Sequence, residues 1–247
     1  VHGQRERQAK RDRALTGQEG YPLFFKPMLA GASLRDRVVG SAGALIGMAA
    51  TYALCSLLHF DSSLPLLVAP MGASAVLIFA VPASPLAQPW PVIGGNVLSV
   101  FVGVTAARYV PVLPIAIGVA VGGAILVMSL LRCLHPPGGA TALIAVIGGP
   151  AVASAGYGFA ILPVGINVVV LTAVALLFHR VSGHSYPHRT IIRAAEALPP
   201  APELLHRDDI DLALAALGET FDVSREDLDQ LLRHAEDNAR RRRETSR

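Results

Sequence analysis

Residues 38–179 contain only three charged side chains, Asp61, Arg108 and Arg132, whereas both ends of the chain are dense in charge. A stretch so poor in charge has no surface suited to water, and bilayer hydrocarbon is its natural solvent. Segments 38–58, 112–131 and 157–178 each run without a charge for about twenty residues, enough as helix to cover a hydrocarbon core of roughly 30 Å. Segment 92–107 is shorter, and the uncharged residues 82–91 before it can extend it.

Two further apolar segments, 64–81 and 134–149, carry Pro and Gly near their starts. Proline lacks an amide donor and glycine is a poor helix former, so neither is expected to be one straight helix facing lipid. Broken backbone at membrane depth survives where protein or a water-filled cavity surrounds it. The break is also written twice. Pro70-Met71-Gly72-Ala73-Ser74-Ala75-Val76-Leu77 returns as Pro137-Gly138-Gly139-Ala140-Thr141-Ala142-Leu143-Ile144, and Gly94-Gly95-Asn96-Val97 is answered by Gly165-Ile166-Asn167-Val168. The expected fold is therefore an all-α integral membrane domain of two repeats, 38–108 and 112–180. Each repeat reads as helix, broken helix, helix, which gives four full spans plus two segments that either cross or re-enter. Duplicated, interrupted segments of this kind are the mark of transporters.

Charge sets the expected orientation. Eight Lys and Arg residues lie in the head, 1–37, and Arg180, Arg189 and Arg193 follow the last span. The positive-inside rule then places both ends in the cytoplasm, of a bacterial inner membrane, and requires an even number of crossings. With six crossings Arg132 is inside and Arg108 outside; with four, the two exchange sides. The same rule accounts for the net charge of +3 without nucleic acid as a partner. Cys55 and Cys133 each have one histidine nearby, His59 and His135, too few ligands for a zinc site, and neither a metal nor another cofactor is expected. No nucleophile–base pair is visible, so the chain does not read as an enzyme.

The sharpest local string is Leu134-His135-Pro136-Pro137-Gly138-Gly139-Ala140-Thr141. Together with Ala69-Pro70-Met71-Gly72-Ala73-Ser74, Pro89-Trp90-Pro91 and Gly95-Asn96, it resembles the HPP family of integral membrane proteins over about residues 35–180. Nitrite transport has been linked to members from plastids and cyanobacteria, and the resemblance implies nitrite as the first substrate to consider.

The residues themselves offer a site for a small inorganic anion. Short helices beginning near Gly72 and Gly139 would aim their positive N-terminal ends at a centre between the repeats, with Gly72, Gly138 and Gly139 permitting close backbone approach. Ser74, Thr141, Asn96 and Asn167 would supply uncharged donors, which hold an anion without trapping it. His135 is either a titrating group at the mouth of the broken helix or a cap for carbonyls freed by Pro136 and Pro137. Its counterpart in the first repeat is Val68. Arg132 either gathers anions at the entrance or snorkels to headgroups. Trp90 reads as an interfacial anchor, and His179, His184 and His188 as solvated residues beyond the last span.

The head is expected to lie on anionic lipid. In the tail, 181–247, a short helix runs from Asp208 to Gly218, and a second opens at Ser224-Arg225-Glu226-Asp227. This pair resembles the linker that precedes a CBS domain pair in longer family members. The tail reads as an independent module. Small-residue helix faces suit a homo-oligomer. The alternative to transport is a membrane scaffold whose tail docks a partner.

Overall fold

The computed structural model describes residues 34–57, 64–188, 207–217 and 223–245, so the expectations for the head before residue 34 lie outside it. Among the described residues, those from Val38 onward form one compact unit. The described residues are helical, without a strand. Helix α1 is Leu34–Leu57, α2 Pro70–Ala80, α3 Pro89–Tyr109, α4 Leu113–Leu130 and α5 Pro136–Ile147. The last apolar stretch, Pro150–Ser182, is composite: α6 at Pro150–Ala155, a 3-10 turn at Gly156–Ala160, a wide turn at Ile161–Gly165 and α7 at Ile166–Ser182. Leu162 is extended inside it, at φ −123° and ψ 119°, and interrupts the helix there. Two tail helices follow, α8 at Arg207–Leu217 and α9 at Arg225–Thr245.

Proline writes the boundaries. Helices α2 to α6 all open with Pro in the first two positions, where its fixed φ suits a helix and its missing amide costs nothing. Four stretches are long and apolar enough to cross a membrane: α1, α3, α4 and Pro150–Ser182. With 11 and 12 residues, α2 and α5 reach only about 16–18 Å and do not cross alone.

Side-chain contacts fix the direction of each segment. Gly43 lies against Phe178, Gly47 against Leu171, and Asn167 Nδ2 donates to Cys55 Sγ over 3.2 Å, so α1 and α7 are antiparallel. Val68 N donates to Asn167 Oδ1, and His179 Nε2 meets the Ile78 carbonyl, so α2 runs with α7. Gly95 abuts His135 while Gly103 abuts Ala142 and Ala145, so α3 and α5 are parallel. Ser99 meets Met128, and Gly123 meets Val102, so α4 runs against α3. Tyr157 meets Thr105 near the end of α3 and Tyr186 meets Ala87 just before its start, so α3 runs against the last stretch, and the six segments alternate: α1, α3 and α5 one way, α2, α4 and α7 the other. Alternation of this kind is the geometry that the six-crossing alternative requires. The end of α2, the connection 81–88, the start of α5 and the end of α7 share one face of the domain. The turn that joins α3 to α4 is on the other.

Polarity is distributed inside out. Leu45, Leu57, Leu126, Leu130 and Leu177 are at least 60% exposed, whereas Thr51, Ser74, Asn96, Ser99, His135, Thr141 and Asn167 are at most 1% exposed. In water such an apolar surface would drive aggregation; in lipid it costs nothing.

Candidate functional site

Four of the side chains read from the sequence as anion ligands form one buried hydrogen-bonded chain. The His135 ring sits between the start of α5 and the connection after α2. Its Nδ1 is 2.8 Å from the Leu86 carbonyl and its Nε2 is 2.8 Å from Ser74 Oγ. A carbonyl only accepts, so the ring proton of a neutral imidazole resides on Nδ1, and Ser74 donates its hydroxyl proton to Nε2. Asn96 Nδ2 donates to the Val92 carbonyl at 2.9 Å and approaches Ser74 Oγ at 3.4 Å. Thr141 Oγ1 donates to Asn96 Oδ1 at 2.6 Å and has the Pro137 carbonyl as a second acceptor at 3.1 Å.

The local sequence explains why these groups meet. Ser74 stands one turn into α2 and Thr141 one turn into α5, so each projects from a short helix toward the middle of α3, where Asn96 lies. Burial of such polar atoms is tolerated because each is paired. Among the described residues no buried side-chain nitrogen or oxygen lacks a partner.

The remaining expected ligands lie apart from this chain. Asn167 sits toward the other face, where its Nδ2 donates to the Leu66 carbonyl at 2.9 Å and its Oδ1 accepts from Val68 N at 3.0 Å. It pins the extended approach to α2. Gly72 and Gly139 do not provide the close approach expected of them: a Cβ added at Gly72 would meet nothing within 4 Å, and at Gly139 only Val121, at 3.9 Å. Close approach falls at Gly138, where a Cβ would lie 2.8 Å from the Gly95 carbonyl oxygen, and at Gly103, 2.4 Å from that of Ala142.

Nor are the helix ends open donors. Pro70, Pro136 and Pro137 have no amide, and the amides of Met71, Gly72 and Gly138 bond back to the carbonyls of Val68, Ala69 and His135. Side chains, rather than helix ends, carry the donors here. Arg132 is exposed on the turn leading into His135, with a left-handed φ of 54°.

Several participants were missed in the sequence. The Leu86 carbonyl orients His135, yet a backbone acceptor has no residue signature. Gln88 Nε2 holds the connection 81–88 through the carbonyls of Pro82 and Ser84, at 3.0 and 2.8 Å. His179 is not solvated. It belongs to α7 and is 2% exposed, against Ile78, Phe79 and Ser182. Trp90 stays half exposed and donates its indole N–H to the Leu131 carbonyl at 3.1 Å.

A family described as the HPP transmembrane region matches residues 29–187. The chain belongs to the HPP transmembrane family. Two curated relatives come from Dictyostelium discoideum, and both are named only as transmembrane proteins. One is 37% identical over 145 residues, 53% of this chain and 49% of that protein. The other is 40% identical over 100 residues, 37% of this chain and 32% of its own length. The chain thus spans between a third and half of the relatives it matches. No solved structure matches it. Family membership and the inside-out polarity together make this an integral, multi-pass membrane protein. The buried chain of Ser74, Asn96, His135 and Thr141 lies wholly within the HPP region.

Proposed function

We propose that this protein is a channel or secondary transporter for a small inorganic anion, with nitrite as the first substrate to test, in a bacterial inner membrane with both termini cytoplasmic. One observation carries the reading: the two interrupted helices meet α3 at a buried chain of uncharged donors, Ser74, Asn96 and Thr141, closed at one end by His135. Hydroxyl and amide donors in a low-dielectric interior bind a small anion through directed hydrogen bonds. Without a fixed positive charge they also release it.

In the arrangement described, each donor is met by an internal acceptor. Cavities of about 380 and 340 Å³ lie elsewhere, one an apolar cleft beside Ile93 and Val169, the other near His188. Passage of an anion therefore exchanges internal acceptors for the solute. The Thr141 hydroxyl leaves Asn96 or Pro137, the Ser74 hydroxyl leaves His135, and the anion takes their place. Each exchange gives the anion a donor and takes one from an internal acceptor, so the barrier combines desolvation of the anion with the loss of those internal bonds.

The test is nitrite flux into sealed proteoliposomes, with chloride, nitrate and formate as competitors and protein-free vesicles as control. Saturable entry that falls when a competitor is added is expected. Flux equal to that of empty vesicles for all four anions, from folded and inserted protein, would overturn the reading and favour the scaffold.

A further inference from the structure

The tail meets the membrane domain at a point that leads to the buried network. Ser224 caps α9: Asp227 N donates to Ser224 Oγ at 3.1 Å. The cap presents the Asp227 carboxylate to His188, whose Nε2 is 2.9 Å from Asp227 Oδ1, both side chains being only about a quarter exposed. The His188 backbone amide donates to Gln88 Oε1 at 2.8 Å, and the Gln88 amide group ties down the carbonyls of Pro82 and Ser84. Ser84 Oγ accepts from Leu86 N at 3.1 Å. Tyr186, two residues before His188, donates its hydroxyl to the Ala87 carbonyl at 3.0 Å, and burial pushes this phenol above its ordinary pKa, so it remains a donor.

Residues 82–88 are thus held by the tail side of the molecule at several points, and the carbonyl in their midst, Leu86, orients His135 against Ser74. An unbroken series of hydrogen bonds joins the first turn of α9 to the donors of the site. The tail is therefore not the independent module expected from its sequence.

We propose that α9 is a regulatory clamp on the anion site: docked through Asp227 and His188, it fixes the connection 82–88 so that His135 keeps Ser74 closed, and its release frees the network to take up a solute. The proposal rests on the reading of that network as the anion site. The two states are α9 docked and α9 released, and whatever binds the released helix opens the path by mass action.

Cys133 and Cys55 allow a test on the full-length protein. Both are free, buried thiols, Cys133 two residues from His135 and Cys55 near the other face, beside Asn167. Labelling rates with N-ethylmaleimide in proteoliposomes, resolved for each thiol by peptide mass spectrometry, would be compared for wild type, Asp227→Ala, Gln88→Ala and the exposed control Leu231→Ala. Asp227→Ala and Gln88→Ala are each expected to raise the Cys133 rate about tenfold, within the usual range of a coupling between sites, with Cys55 unchanged. Nitrite flux should rise with it, while Leu231→Ala behaves as wild type. An unchanged Cys133 rate in both variants would overturn the clamp, as would an equal rise at Cys55, which reports general loosening. A selective rise at Cys133 without nitrite flux in any variant would keep the clamp and reject the anion reading instead.

Discussion

His135 shows how a residue conspicuous in the sequence acquires its role from a partner that is not. A buried histidine beside two prolines invites either a titrating role or a capping one. In the structure it caps a carbonyl, but that of Leu86, 49 residues away, rather than those freed by Pro136 and Pro137. Ser74, Asn96 and Thr141 were legible because a polar residue in an apolar repeat must find a partner. Asn167 was grouped with them by repeat symmetry, and the symmetry fails at its partners: Val68 stands where the second repeat has His135 and offers only a backbone amide. The glycines were legible as a set and not one by one, since which of two adjacent glycines faces a neighbour depends on helix rotation. Substitution separates them. Gly103→Ala is expected to cost about 1–3 kcal/mol, because its Cβ has no room against Ala142. Gly72→Ala and Gly139→Ala should be neutral or stabilising by up to about 1 kcal/mol, since both are helical and have space. Denaturant unfolding in micelles checks the order; equal losses at all three positions would contradict it.

At the scale of elements, the helix starts were written by proline and the long spans by the absence of charge. The number of passes was not, because α2 and α5 are too short to declare themselves as spans and both alternatives balance the flanking charge. Packing settles the directions: glycine faces on α1 and α3 admit Phe79 and α5, and the order of these contacts along each helix gives its sense. A consequence follows for two arginines. Arg132 lies on the face of the tail contact, through His135 and the connection 81–88, whereas Arg108 lies at the opposite end of α3, over the ring of Tyr157 at 4.9 Å. Cysteines placed at Arg132 and at Leu231 of α9 should react with a membrane-impermeant maleimide from the same side, and a cysteine at Arg108 from the other. Reaction of the Arg108 and Leu231 positions from one side and of Arg132 from the other would instead support four spans with re-entrant helices.

For the molecule as a whole, the central feature is a cluster of polar side chains buried within a membrane domain whose exterior is apolar, where two interrupted helices converge on α3. The membrane domain was visible in composition alone, because lipid leaves so little latitude in what it will solvate. The link between tail and network was not, because it passes through backbone carbonyls and a connection whose sequence, Pro82 to Pro91, reads only as uncharged. What joins fold to function is the claim that the donors of this network are the path of the anion. Thr141→Val tests it most directly: the side chain keeps its shape, loses only the hydroxyl that bonds Asn96 Oδ1 across the α3–α5 contact, and does not touch the tail. Nitrite influx into proteoliposomes is expected to fall about tenfold, the effect of losing one hydrogen bond worth roughly 1.4 kcal/mol, with the thermal midpoint within a few degrees of wild type. Wild-type influx in the Thr141→Val protein would place the path elsewhere.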